Sequence, residues 1–357
     1  MPAFNAEATL AESMRSALAS SYSALELVLV DDGSSDETVA IAETLAQGDA
    51  RVRIFRQRHS GVSAALNFGL THVRGEFVAR LDADDLWHPT KLAKQVKMLT
   101  ADPATMLTYT HVRYIDGSGR IFRDAAPQNL TGPALCQILY SGIVGGGSSA
   151  LFCRSVLDAV GGFDERLGVW EDLVMHLKVG AAGQIGCVAE YLTGYRVGGD
   201  SSSDLDRSLQ AWRLAHKLIE CEFPQVPAFV HGWSHARRLL ELAEGFAHDK
   251  RYRTSGALLA ECLANDPVRT SAFLAYRLHR RLLGNRRPLY QPGPLFAEAD
   301  TDTSYGLSDF DAGLEGHRVR ALDQSRERLM RAIDSELSPR PQSTDAAETT
   351  APAAADP

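Results

Sequence analysis

Short apolar runs alternate with helically spaced segments over roughly the first 200 residues, and this alternation constrains the fold more than any other feature of the chain. Residues 26–32 (ELVLVDD), 52–57 (VRIFRQ), 77–82 (FVARLD) and 106–114 (MLTYTHVRY) read as strands. Between them a helical pattern returns. Residues 9–20 carry Leu10, Met14, Ala17 and Leu18 at helical spacing, 36–46 follow a Ser-Ser-Asp cap, and 62–73 follow Gly61. Pro89 suits the first turn of a helix that continues through Leu92, Val96 and Leu99. Strands joined by crossover helices pair into a mostly parallel sheet flanked by helices, so the fold class is α/β.

The later part of this region is less regular. A glycine-rich loop (Gly145–Gly147) leads into the strand-like SSALFC, a turn at GGFDE, a helix from Glu171 and a strand over 185–197. Residues 1–204 are assigned to one α/β domain and 205–290 to a helical cap; 291–357 form an extension with one helix at 317–337 and disorder from 338 onward. LLELAEGFAHDKRY and ALLAECLANDP are weakly similar to one tetratricopeptide unit, and a single unit does not make a solenoid. With 357 residues and 45% hydrophobic content the chain supports a sizeable core. No stretch reaches the roughly 20 apolar residues of a membrane helix, and the N-terminus lacks the regions of a signal peptide, which points to the cytoplasm. A net charge of −8 argues against general nucleic-acid binding, so no nucleic-acid partner is expected. Cys136, Cys153, Cys187, Cys221 and Cys262 include no C-x-x-C pair and read as buried thiols.

Acidic clusters carry the chemistry. LVLVDDGSSDET ends an apolar strand in Asp31 and Asp32 and breaks at Gly33. The carboxyl ends of strands in an open parallel sheet form the ligand crevice, where a carboxylate accepts hydrogen bonds from a nucleobase or a ribose. A helix cap and turn built from Ser34, Ser35 and Asp36 explains the same stretch without a ligand. In ARLDADDLWHP, Asp82, Asp84 and Asp85 repel one another unless a cation or a donor-rich ligand joins them. A divalent metal held by one or two carboxylates, with phosphate oxygens and water, is the natural partner. A solvated turn is the competing reading, and Asp85 also suits the cap of the helix near Pro89. In GGFDERLGVWEDLVMHLKVG the pair Glu171 and Asp172 begins a helix. One of them can serve as a general base, and acids in a first helical turn are also ordinary dipole complements.

Taken in order, PAFN, VDDGS, GVSAALN, LDADD-x-W-x-P, GGFDE and ED resemble the family 2 glycosyltransferases of the GT-A fold. The resemblance implies a GT-A (Rossmann-like) domain whose first half binds a nucleotide-sugar and whose second half supplies the acceptor side. It places Pro2, Ala3 and Phe4 in the nucleoside pocket, Asp32 on the base with Asp31 beside it, and Asp82 near the ribose and the metal. Asp84 would ligate a divalent metal, Mg or Mn, directly. Asp172 would be the catalytic base, supported by Glu171. The metal would then stabilise the leaving nucleoside diphosphate while Asp172 deprotonates an acceptor hydroxyl from the opposite face, inverting the anomeric centre. The implied enzyme is a soluble, non-processive, metal-dependent glycosyltransferase, hexosyltransferase-like. It would move a sugar from a nucleotide-sugar, a UDP-sugar in this reading, to a hydroxyl of a glycan or lipid-linked acceptor in cell-envelope or polysaccharide synthesis.

The sequence also departs from the family pattern. Leu66 stands where many relatives carry the arginine of G-x-S-x-A-R-N, which leaves Arg56, Arg58 or His59 as other phosphate donors. Val174 replaces an aspartate after the ED pair, and Arg196 with Gly198 replaces an Arg-x-His. The Q-x-x-R-W motif of processive synthases is missing. Arg277, Arg280, Arg281, Arg286 and Arg287 surround Leu278, Leu282 and Leu283; such a segment suits anionic lipid headgroups at the inner face of the membrane, or a solvated helix face. The family pattern places a short apolar strand directly before PAFN, so Met1 is expected to be an internal methionine of a longer product, the chain beginning one strand late. Two rival functions stay open. One is a non-catalytic nucleotide-sugar binding module, raised by Leu66. The other is a nucleotidyltransferase, which would carry a glycine-rich phosphate loop and a basic residue near its first strand, and PAFNAEATL has neither.

Overall fold

The structure, a computed structural model, describes residues 1–143, 145–198, 204–282, 294–296, 299 and 314–338. Its first part follows the sequence periodicities closely: β1 (Pro2–Ala3), α1 (Leu10–Leu18), β2 (Leu27–Asp31), α2 (Thr38–Gln47), β3 (Val52–Arg56) and α3 (Val62–Leu70). The strands form a parallel sheet in the order β1-β2-β3, with Pro2 opposite Val30 and Leu27 opposite Val52. β2 is buried along its whole length, which its unbroken apolar run demands once helices cover it. α2 begins at Thr38 rather than at 36, with Glu37 as its N-cap, and the Asp36 carboxylate accepts hydrogen bonds from the Thr38 N–H (3.0 Å) and the Glu7 N–H (3.1 Å).

The second part comprises β4 (Phe77–Ala79), β5 (Leu86–Trp87), α4 (Lys91–Ala101), β6 (Thr105–Ile115), β7 (Ile121–Asp124), α5 (Leu135–Ser141), α6 (Gly146–Ser149), β8 (Leu151–Cys153), α7 (Arg154–Ala159), α8 (Glu171–Ala182) and β9 (Gln184–Arg196). These strands form a mixed sheet, ordered β4-β8-β6-β9-β5 with β7 on β6. β6 and β9 run parallel, while β8 is antiparallel to β4 and β6, β5 to β9, and β7 to β6. The α/β class holds, with its parallel pairing concentrated in the first sheet and in β6–β9. β4 stops at Ala79 rather than at Asp82, because residues 80–85 leave the sheet to place their side chains in the site described below. SSALFC divides into the end of α6 and the strand β8, and α4 begins at Lys91, past Pro89. β5, β7, α5 and α7 are too short to leave a periodic signature. A cavity of about 230 Å³ lies between the two sheets, lined by Val28 and Val30 of β2, Leu66 of α3, Phe77 of β4 and Leu157 of α7.

The helical region contains α9 (Leu205–Glu222), α10 (Ala228–His248), α11 (Tyr252–Asn265), α12 (Pro267–Leu282) and α13 (Leu314–Leu337). It does not form a separate core. Trp212, Leu239 and Phe246 bury with Leu107 of β6, Ile138 of α5 and Leu177 of α8 in one apolar cluster. A second cluster joins Leu10 and Met14 to Leu29, Leu81 and Leu99. α13 is tied in by polar contacts as well. The Asp334 carboxylate accepts from the Cys136 N–H (2.7 Å) and the Gln137 N–H (3.3 Å), capping α5, whose own N-cap Ala134 has no side chain for the task. Arg326 also pairs with Asp266, both side chains being almost fully buried.

Some expectations fall elsewhere. Cys221 is exposed and Cys153 partly so, against the reading of all five as buried thiols. The side chains of Arg277, Arg280 and Arg281, all of Arg286 and Arg287, and the stretch past 338 lie outside the described residues. No described helix is long and apolar enough to cross a membrane.

Candidate active site

Arg80 organises the site. Its guanidinium donates from Nε and Nη2 to both carboxylate oxygens of Asp82 (2.9 and 3.1 Å) and from Nη1 to Oε1 of Glu171 (2.9 Å). The arginine and Glu171 side chains are only 9% and 7% exposed. Desolvation works against the arginine's charge, but Asp82, Glu171 and Asp172 outweigh it and hold the guanidinium above its ordinary pKa. Burial pushes the Glu171 carboxyl up, and Arg80 opposes that shift. The D-x-D segment at the end of β4 and the ED pair at the start of α8 are thus joined through one buried cation. Sequence reasoning passed over Arg80 as a strand residue, although a position two before Asp82 on an extended chain shares its face.

The glycine-rich loop makes this junction possible. A Cβ at Gly147 would lie 2.1 Å from Arg80 Cδ, and one at Gly146 would lie 2.2 Å from Asp172 Oδ2. Gly146 also has a positive φ of 47°, so the loop is a bed against which the arginine and the aspartate lie. Next to it, Ser148 Oγ accepts the Asp82 N–H (3.1 Å) and the Ser148 carbonyl accepts the Trp87 Nε1–H (2.8 Å).

Asp84 and Asp85 have different surroundings. Arg196 donates from Nε to the Asp84 carbonyl (2.7 Å), from Nη1 to the Asp116 carbonyl (2.7 Å) and from Nη2 to Glu12 (2.7 Å). Its backbone N–H donates to Asp85 Oδ1 (2.8 Å), so Asp85 is buried under the loop and does not cap α4. Burial first, and then Asp84 and Asp82, push the Asp85 carboxyl well up. The Asp84 carboxyl is pushed up to about 6 by burial and then by Asp82. Asp172 stays partly exposed, and its described hydrogen bond comes from the Leu173 N–H (2.7 Å) of its own helix. Tyr195 of β9 has its phenol pushed up by burial and then by Asp85, Asp82, Asp172 and Asp84, so it faces the same acidic cluster.

A divalent metal fits this donor set at Asp84. Among the described residues no protein cation is hydrogen-bonded to that carboxylate, and the burial and the neighbouring Asp82 that disfavour its charge are what a bound cation would offset. Asp82 fits less well, since Arg80 engages both of its oxygens. Among the described residues no group of three or more His, Cys, Asp or Glu is arranged to hold a metal, so ligand oxygens and water would complete the shell.

The other candidates gather at the end of β2. Asp32 is buried and accepts from Gln57 Nε2 (2.7 Å), the Ser60 N–H (2.8 Å) and the Gly61 N–H (2.8 Å), with His59 Nδ1 at 2.9 Å. These contacts fix the loop between β3 and α3. Asp31 is fully buried, accepts the Ser34 N–H (3.2 Å) and faces Arg56 at 3.7 Å. Ala3 is buried in β1 and Pro2 is partly so, while Phe4 is 47% exposed and stacks on His59 with ring centroids 4.2 Å apart. Thr9, the N-cap of α1, and Ser13 within it both donate to the Ala83 carbonyl (2.9 Å each), linking this end to the D-x-D segment. Leu66, in place of the family arginine, packs against the core.

Known proteins resemble this chain in sequence and in fold. Residues 1–161 match the family described as glycosyl transferase family 2. An uncharacterised glycosyltransferase of Nostoc sp. is 31% identical over 206 residues, 55% of this chain and 63% of that protein. The Escherichia coli protein named UDP-Glc:alpha-D-GlcNAc-diphosphoundecaprenol beta-1,3-glucosyltransferase WfgD is 33% identical over 132 residues, 37% of this chain and 51% of that one. The chain spans 30% of a matching Rickettsia felis glycosyltransferase. Among solved structures, the Pyrobaculum calidifontis mannosyltransferase PcManGT, in complex with GDP-Man and Mn2+, superposes with a TM-score of 0.53 over 79% of each chain, at 22% identity. That likeness is one of fold.

Proposed function

We propose, from the premise that residues 1–161 belong to glycosyl transferase family 2, that this protein transfers a sugar from a nucleotide-sugar to an acceptor hydroxyl with inversion at the anomeric carbon. The observation that carries the reading is the division of labour among the carboxylates. Arg80 engages Asp82 and Glu171 in hydrogen bonds, which leaves Asp84 for a metal and Asp172 for a proton. When bound, the metal would act as a Lewis acid on the departing diphosphate. Asp172 takes the proton from the acceptor hydroxyl as the new C1–O bond forms and the bond from C1 to the phosphate oxygen breaks, its electron pair leaving with the nucleoside diphosphate. Glu171 stays with Arg80 and fixes the first turn of α8, so Asp172 meets the acceptor in one orientation. Phe4 and His59 offer a flat aromatic surface for the base, beside the buried Asp31 and Asp32.

A UDP-sugar is the proposed donor and a glycan or lipid-linked hydroxyl of cell-envelope synthesis the proposed acceptor. The name of the Escherichia coli relative supports both, since it pairs UDP-Glc with a diphosphoundecaprenol-linked sugar. Manganese or magnesium is the proposed ion, and the Mn2+ beside GDP-Man in the Pyrobaculum structure supports it.

Thermal denaturation tests the donor site. UDP with manganese is expected to raise the melting temperature of the native protein, and the manganese-dependent part of that rise should vanish in Asp84→Ala. A rise that is the same with and without manganese, in both proteins, would remove Asp84 from the site. Gly146→Ala tests the crowding at the base. It should lower nucleotide release from a nucleotide-sugar by about 100-fold, because the new methyl must displace Asp172 by on the order of 1 Å. Release unchanged in that variant would mean that Asp172 need not sit where it does.

A further inference from the structure

Trp170 stands directly before the ED pair as the N-cap of α8, with φ 70° and ψ 7°. This left-handed conformation is unfavourable for an L side chain and persists only where surrounding structure imposes it. The Trp170 carbonyl accepts the Val174 N–H (3.1 Å), so the first turn of α8 is built on this residue. Its backbone angles therefore set the direction in which Glu171 and Asp172 project.

The side chain of Trp170 is held by the helical region. The indole of Trp170 meets Trp212 of α9 edge to face, with centroids 5.3 Å apart and planes at 63°. Its Nε1–H points to the Ser208 carbonyl at 3.5 Å, and the Arg238 guanidinium of α10 lies 5.3 Å from its ring. Trp212 is itself fully buried and donates its Nε1–H to His235 Nδ1 (3.2 Å). An indole N–H only donates, so Nδ1 is the acceptor and Nε2 carries the proton towards Glu261 of α11 (2.9 Å). A continuous chain of contacts thus runs from α11 through α10 and α9 to Trp170, two residues before the proposed base.

We infer that Trp170 is a positioning residue through which the helices after residue 204 aim Asp172 at the acceptor, an inference that rests on Asp172 being the base. On the opposite side Arg80 holds Glu171 and Gly146 lies against Asp172, so the helix start is clamped between the sheet and the helical region. A small swing of that turn moves the carboxylate by on the order of 1 Å, which is enough to slow the proton transfer without touching the donor site.

The experiment uses whichever of UDP-glucose, UDP-GlcNAc and GDP-mannose gives the fastest manganese-dependent nucleotide release. Trp170→Ala is expected to lower kcat by about 100-fold while KM for the donor and the melting shift caused by UDP with manganese change less than about threefold. Trp170→Phe, which keeps an aromatic ring against Trp212, should recover kcat to within about tenfold of native. A Trp170→Ala kcat within about threefold of native overturns the inference, and so does an equal loss of donor binding, which marks general disruption. If Trp170→Ala does not fold, Arg238→Met removes a support that α10 supplies to the same ring; lowered kcat at unchanged KM sustains the inference and unchanged kcat overturns it. Asp172→Asn separates the two levels. Native kcat in that variant sinks the base assignment and this inference together, whereas an inactive Asp172→Asn beside a fully active Trp170→Ala sinks this inference alone.

Discussion

Asp172→Asn is expected to lower kcat by about 1,000-fold while leaving the affinity for the nucleotide-sugar within about threefold of native. The replacement is nearly isosteric. An asparagine Oδ1 can still accept the Leu173 N–H, so the start of α8 keeps its shape. What it loses is the ability to take a proton from the acceptor, and that step belongs to the transition state rather than to donor binding. The charge change also removes one of the anions that stabilise Arg80, but Asp82 and Glu171 remain hydrogen-bonded to it. Single-turnover measurement of nucleotide release separates chemistry from binding. A kcat within about tenfold of native would mean that another group, or water alone, removes the proton.

Arg80→Met should destabilise the protein by about 3–5 kcal/mol, measured as a shift in the urea midpoint. Removing one partner of a buried ionic cluster leaves the others uncompensated, and here Glu171 is 7% and Asp82 26% exposed. Both would have to be protonated or hydrated in the folded state. Lysine at the same position keeps a positive charge but cannot reach three carboxylate oxygens at once, so Arg80→Lys should lie between methionine and native. A loss below about 1 kcal/mol in Arg80→Met would show that solvent already compensates the two carboxylates, and that the arginine is not what joins β4 to α8.

Much of this architecture was legible from periodicity, and the carboxylates from residue type alone. Strong apolar runs such as LVLVD become buried strands because nothing else satisfies a continuous apolar stretch of that length. Paired acids stand out because their mutual repulsion needs a reason. What could not be read is how distant segments meet. Arg80 and Glu171 are 91 residues apart, and no local pattern pairs them. Asp334 caps α5 from 198 residues away, so the missing cap at Ala134 is visible in sequence but its supplier is not. The glycines at 146 and 147 read as an ordinary loop; their purpose is the close approach of Asp172 and Arg80, which exists only after folding. The left-handed conformation of Trp170 runs against the residue's own preference, and the packing of Trp212 and Arg238 on its ring comes from elements that no local pattern joins to it. Asp32 was legible as a ligand-facing carboxylate at a strand end, but its burial and its role in fixing the β3–α3 loop depend on donors from residues 57–61.

Nucleotide release from UDP-glucose, UDP-GlcNAc and GDP-mannose, followed with and without manganese, tests the proposed transfer most directly. At least one donor should release its nucleotide in a manganese-dependent manner, and that release should disappear in Asp84→Ala. If UDP with manganese binds the native protein and none of the three donors turns over, the site is a nucleotide-sugar binding module and the assignment of Asp172 as a base is wrong.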